Sequence, residues 1–143
     1  MGINLTTEAQ VRSAYAAARA VTRHVMVERH IPGTVHRLLV VGGKLVAASR
    51  GEYPQGSANP RAAMATVDCT AQVHADTAYL AALAAKVVGL DIAGVDLVCQ
   101  HIDQPLAGQG GAILEVNGGP GLLMHLRPSQ GVPQPVGARR TRW

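Results

Sequence analysis

Asp96, Glu115 and Asn117 are the residues of this 143-residue chain whose types and spacing best suit chemistry. They lie within Gly89 to Gly121, GLDIAGVDLVCQHIDQPLAGQGGAILEVNGGPG. Residues 92–99 and 111–117 read as short β-runs. The Pro105, Gly108, Gly110 and Gly111 between them make an antiparallel hairpin with a long loop the natural connection. A hairpin centred near Pro105–Leu106 sets Asp96 across from Glu115. Side chains two apart on a strand share a face, which brings Asn117 to the same side. Two carboxylates and an amide oxygen then converge, a donor set suited to a hard cation such as Mg²⁺ or Mn²⁺.

A solvated sheet face accounts for the same residues, since most Asp and Glu are exposed. One energetic point opposes it: like charges directly opposite on paired strands cost about 0.2–1 kcal/mol. A divalent ion between them turns that repulsion into coordination. Mg²⁺ typically takes one or two carboxylates and completes its shell with water and substrate phosphates. Spacing alone leaves both accounts open.

The elements that must position this set follow from pattern and turn chemistry. Thr7 and Gln10 fit a capping box that opens an Ala-rich helix over about residues 8–23. VMVERHI, residues 25–31, reads as a strand and Pro32–Gly33 as a turn. Residues 36–49 read as a β-hairpin closed by Gly42–Gly43. Residues 50–65 concentrate Gly, Pro, Ser and Asn without periodicity and form a loop. Asp76 is placed to cap a second helix, over about 77–88. Its Leu80, Leu83, Ala84, Val87 and Val88 recur at helical spacing, and Gly89 can end it. The LLMHL run after Gly121 makes one helical turn. The expected fold is α+β, an antiparallel sheet whose two hairpins are each covered by one of the helices.

Composition sets wider bounds. Hydrophobic residues at 48% with charged residues at 15% describe a folded domain. No Phe, one Trp and three Tyr leave few bulky anchors for a core. No run approaches membrane-spanning length and no signal sequence opens the chain, so a cytoplasmic location is expected. Cys69 and Cys99 lack metal or redox spacing and read as buried thiols. His24, His30 and His36 are six apart and read as strand-edge or surface residues. The net charge of +4 comes largely from Arg139, Arg140 and Arg142. With so few aromatic rings for base stacking, nucleic acid is not an expected partner.

The segments VMVERHIPG, HRLLVVGGKLVAA, GLDIAGVDLVC and GAILEVNGGPGLLMHL together resemble the central part of the ATP-grasp domain of the cyanophycin synthetase family. The resemblance spans most of residues 2–49 and 66–125. It implies ATP and Mg²⁺ (or Mn²⁺) as cofactors, with the metal on Asp96, Glu115 and Asn117. It further implies that the backbone of Glu28, Arg29, His30 and Ile31 forms an adenine hinge. Arg37 matches a family arginine near the transferring phosphate and the substrate carboxylate, a role its planar donor fork suits. The family joins an amino acid to a carboxylate through an acyl-phosphate, so an amino-acid or peptide substrate is implied as well.

The chain also departs from that pattern. Val35 stands where the family carries an acidic residue for the ribose. The 50–65 loop replaces several tens of family residues, and the family's Gly-rich phosphate loop with its lysine maps upstream of Met1. Residues 1–127 are therefore expected to form a partial ATP-grasp domain, and 128–143 a disordered Pro/Gly-rich basic tail. The expected function is an ATP-grasp ligase fragment for amide-bond formation, inactive as an isolated chain and completed by a partner chain or a homo-oligomer. The alternative is a non-catalytic metal- or nucleotide-binding remnant or an interaction module.

Overall fold

The computed structural model describes residues 5–52 and 65–138. It divides into two compact units, Met1–His30 and Ile31–Trp143. The first holds helix α1, Glu8–Arg19, opened by the expected capping box: the Gln10 amide donates to the Thr7 hydroxyl and the Gln10 side chain accepts from the Thr7 amide. The helix stops short of residue 23. Ala20 caps it and the amides of Val21 and Thr22 turn back on the Ala18 carbonyl, where β-branching disfavours another turn. No residue of α1 is buried.

Residues 25–31 do not form the expected strand. Val25, Val27 and Ile31 suit a strand by type. A strand, however, is made by a hydrogen-bonded neighbour, and among the described residues none pairs with this segment. Met26 and Val27 are exposed there.

The second unit is built on a five-stranded sheet. Its strands are β1 (Thr34–Val41), β2 (Lys44–Glu52), β3 (Ala65–Asp68), β4 (Ile92–Cys99) and β5 (Ala112–Asn117). Spatial order is β3-β2-β1-β4-β5, every pairing antiparallel. Gly42 and Gly43 both take positive φ in the β1–β2 turn, the conformation a two-residue hairpin demands. Most of the 50–65 loop lies outside the described residues. Its two ends extend the sheet, β2 running on to Glu52 and β3 starting at Ala65.

Helix α2, Ala75–Val88, lies against one face of the sheet and lays Ala81 and Ala85 on Leu38, Val40, Ala93, Val95 and Leu97. Small helix residues let it pack on strands of both hairpins. Its N-cap is His74, whose Nδ1 accepts from the Asp76 amide at 3.2 Å, rather than Asp76 itself. Gly89 closes it in the left-handed conformation, as its position suggested. On the other face Leu39, Val41, Val46 and Ala47 form a smaller cluster with Val136 and Leu122. No Tyr or Trp side chain is among the buried residues described.

Two β-bulges tune which residues reach which face. In β5, Asp96 pairs with Glu115 and Leu97 with Ile113, so Leu114 is the extra residue. That insertion lets Ile113 and Val116 both pack on the α2 side while Glu115 and Asn117 point away from it. Helix α3, Leu123–Leu126, is the single turn expected of LLMHL.

The segment after it is docked, in contrast to the expected disordered tail. Ser129 and Gln130 donate to the Thr66 carbonyl, and Asp68 donates to the Gln130 carbonyl. The Gln134 amide reaches the His125 carbonyl, and Val136 is buried. Pro and Gly keep residues 127–135 out of helix and strand, with a 3-10 turn only at Val136–Ala138, and leave backbone groups free to dress the open edge of β3. Residues 139–143 lie outside the described part. Among the described residues no helix is long and apolar enough to cross a membrane.

Candidate functional site

The sheet register draws one row of residues across all five strands. Asp68 on β3 pairs with Ser49 on β2, Ser49 with Arg37 on β1, Arg37 with Asp96 on β4, and Asp96 with Glu115 on β5. Directly opposed residues share a face, and here it is the one turned away from α2. Asn117 lies opposite Gly94, one step along on that face. Asp96, Glu115, Asn117 and Arg37 therefore stand together, through pairings that the hairpin reading anticipated on the acidic side.

The contacts within this group are specific. Arg37 forks onto Asp96, its Nε on one carboxylate oxygen and its Nη2 on the other at 2.7 Å. Asn117 donates from Nδ2 to the second oxygen at 3.4 Å. The pair is largely covered, the side chains being 25% and 14% exposed, whereas Glu115 is open to solvent. The Asp96 hydrogen bond raises the Arg37 pKa above its ordinary value, the nearby Asp96 and Glu115 charges adding to it and burial opposing. A half-turn of the Asn117 amide presents its oxygen to the same space.

That donor set fits a Mg²⁺ ion as one or two carboxylates plus an amide oxygen, with open sides left for water and phosphate. It is no closed cage: among the described residues no three His, Cys, Asp or Glu side chains gather for a metal. Asp68, the other acid of the row, is committed elsewhere. It accepts from the Thr70 hydroxyl at 2.6 Å and from Gln134 at 3.3 Å.

Three site features escaped the sequence reading. Gly94 leaves room that a Cβ would fill, since that atom would come within 2.8 Å of Pro120 Cβ and 3.2 Å of Arg37 Cδ. The Asp68 and Ser49 end of the row depended on β3, which a four-residue run could not announce. The third is His125 in α3, 2% exposed and with neither ring nitrogen hydrogen-bonded. Burial lowers its pKa and the Arg37 charge lowers it further, Asp68 opposing. Its only sequence signal is a histidine within an apolar turn. His36, expected at a surface or strand edge, is instead buried at 2% exposure, its Nδ1 2.9 Å from the Thr34 carbonyl. Its even position on β1 turns it to the α2 side. His24 and His30 are exposed, and Cys69 and Cys99 are buried free thiols as expected.

Glu28, Arg29 and His30 are exposed and Ile31 is half-buried, in backbone that joins no strand. A groove of about 460 Å³ lies between α2 and the β1–β2 turn, lined by Gly42, Tyr79, Leu83, Lys86, Leu90 and Asp91. It contains no residue of the row. The row itself lies on the open sheet face.

With that geometry in place, the likenesses to known proteins are informative. The RimK-like ATP-grasp domain matches residues 2–130. A cyanophycin synthetase of Nostoc sp. (strain PCC 7120) is 30% identical over 197 aligned residues, covering 94% of this chain and 22% of that protein. The chain thus spans under a quarter of that relative's length. Since 197 aligned positions exceed the 143 residues here, the relative carries residues within the matched span that this chain lacks. Among solved structures, a bifunctional glutathione synthetase from Pasteurella multocida superposes with a TM-score of 0.68 at 18% identity, over 93% of this chain and 27% of its own. The ATP-grasp ligase PsnB, in a complex with a precursor variant, Mg and ADP, superposes with a TM-score of 0.51 at 20% identity, over 64% of this chain and 26% of its own. The domain match, which takes in all but the first residue and the last thirteen, shows that this chain belongs to the RimK-like ATP-grasp family.

Proposed function

We propose that this chain binds Mg²⁺ and the phosphates of ATP on the face carrying Arg37, Asp96, Glu115 and Asn117, in the service of carboxylate–amine ligation of the cyanophycin synthetase type. The observation that carries this is the register itself. It sets two carboxylates opposite each other with an amide beside them and a guanidinium behind, all on one open face.

Each side chain then has a physical task. Asp96 and Glu115 supply anionic oxygens from adjacent strands, positions a sheet holds more firmly than a loop would. Asn117 contributes a neutral oxygen after its amide turns. Arg37 offers a planar pair of donors to a phosphoryl or carboxylate group. Bound there, Mg²⁺ would neutralise phosphate charge and orient the oxygens for transfer. Glu28, Arg29, His30 and Ile31 keep their assignment as adenine contacts from the family resemblance alone. Mn²⁺ relaxation on the full chain tests the site: wild type should bind and Glu115→Ala should not. Equal binding by both would leave the assignment without support.

For the 143 residues by themselves we propose binding without turnover. Val35 is half-exposed on the same face as Arg37 and offers no acceptor to a ribose hydroxyl. The relative's additional residues within the matched span have no counterpart here. Positioning of reacting groups supplies roughly 7–11 kcal/mol in well-oriented reactions, so a partial loss suffices to silence the chemistry. The assay is ADP release with aspartate, arginine and a cyanophycin-like primer. Primer-dependent release that Glu115→Ala abolishes would make the chain a working ligase instead.

A further inference from the structure

Arg37 occupies the oxygens a cation would need. Its fork uses both carboxylate oxygens of Asp96 at once, in a pair largely covered from solvent. Glu115, the next residue in the row, adds its negative charge to the field that stabilises the guanidinium. Without that guanidinium the two carboxylates would face each other across β4 and β5 with nothing between them. Arg37 thus offsets one of the two negative charges that Asp96 and Glu115 bring together. A divalent ion would do the same with twice the charge, and it competes for the same lone pairs.

We propose that Arg37 is the resident counter-ion of the cation site: a divalent cation seated on Asp96 and Glu115 displaces the guanidinium, which is thereby released to meet an anionic oxygen of the substrate. The inference rests on the function proposed above for this face and adds an order to it. The stem of Arg37 runs beside Gly94, near Pro120. The stem therefore stays guided while the fork changes partner. Because the cation must break a bidentate pair, it binds weakly alone. An anion that captures the freed fork strengthens it, and by linkage the cation strengthens the anion equally.

The test uses Mn²⁺ alone as probe, with free Mn²⁺ followed by electron paramagnetic resonance on wild type, Arg37→Met and Glu115→Ala. Arg37→Met should bind roughly tenfold or more tighter than wild type, because a unit positive charge has left the cation's immediate surroundings. If Arg37→Met binds no tighter while Glu115→Ala still abolishes wild-type binding, the displacement is overturned and the site stands. If no protein shows binding that depends on Glu115, the site assignment falls and the displacement with it. A second measurement needs no variant at Arg37. In metal-free wild type the Arg37 Nε–H should exchange slowly with solvent by ¹⁵N NMR, and saturating Mg²⁺ should speed that exchange. An unchanged Nε–H signal at saturation overturns the displacement.

Discussion

The two faces of the five-stranded sheet use the same strands for opposite purposes. Strand β1 sends Leu38 and Val40 to the α2 side, both fully buried, and Arg37 to the other, where it meets Asp96. Strand β4 repeats the pattern one residue out of step, with Val95 and Leu97 in the core and Asp96 between them on the opposite face. The α2 face is apolar apart from the buried His36. The other face has a smaller apolar cluster ending at Leu39, beyond which it turns charged. Period-two alternation thus gives stability and chemistry separate residues that are neighbours in sequence, and substitutions at adjacent positions should have separable effects.

The sharpest way to break this contrast is to change adjacent residues of β4. Leu97→Ala should cost about 2–5 kcal/mol by denaturant unfolding, the range for truncating a fully buried leucine, while the folded fraction keeps its affinity for Mn²⁺. A loss of affinity matching the loss of stability would mean the faces are not independent. Asp96→Asn should cost less, about 1–3 kcal/mol, as the price of leaving a partly covered Arg37 without its carboxylate. Its main effect should be on binding, with Mn²⁺ affinity lost outright.

Next in size is a dependence on pH, because each face hides one histidine. Burial lowers the His36 pKa on the α2 side, aided by Arg50 and opposed by the Thr34 carbonyl. Burial also lowers that of His125, aided by Arg37 and opposed by Asp68. Both fold as neutral rings while the unfolded chain titrates near 6.5. Below that pH the unfolded chain takes up protons that the folded one refuses, so stability falls with falling pH until the folded-state pKa values are passed. Each histidine contributes a slope of at most about 1.4 kcal/mol per pH unit. His125→Leu should flatten part of this slope and cost little at neutral pH, since neither ring nitrogen has a partner to lose. An unaltered slope would show that His125 is accessible to protons in the folded state.

What was legible in the sequence, and what was not, follows from the range of the interactions involved. The Asp96–Glu115 pairing came from local hairpin geometry, and the Gly42–Gly43 turn and the Thr7–Gln10 capping box each lie within four residues. The bulge at Leu114 was not foreseen, although GAILEVN breaks strict alternation at that point. Pairings between distant segments were hidden. Strand β3 is four residues long and acquires meaning only beside β2, and the docking of Ser129 and Gln130 depends on Thr66, over sixty residues away. The 25–31 strand failed for the converse reason, its residue types being suitable but unpaired. His125 was invisible because burial of a polar ring is decided by what packs around it, and its apolar neighbours in LLMHL say only that the turn has an inner side.

The smallest expected effect refines the contrast most. Glu115 is exposed, attracts Arg37 and repels Asp96, so its two interactions in the metal-free chain largely offset each other. Glu115→Gln should therefore change stability by no more than about 0.5 kcal/mol, as for most exposed charges. Yet the same substitution removes one of two carboxylates from the cation site. Mg²⁺ at ten times its dissociation constant stabilises a protein that binds it only when folded by about 1.4 kcal/mol. Wild type should accordingly gain several degrees in Tm on adding Mg²⁺, with Glu115→Gln gaining almost nothing at the same concentration. Leu97→Ala, though far less stable to begin with, should show the full wild-type increment. Equal increments for wild type and Glu115→Gln would place the cation somewhere other than this face. A missing increment in Leu97→Ala would show that the site needs the packed α2 face to hold its strands in register.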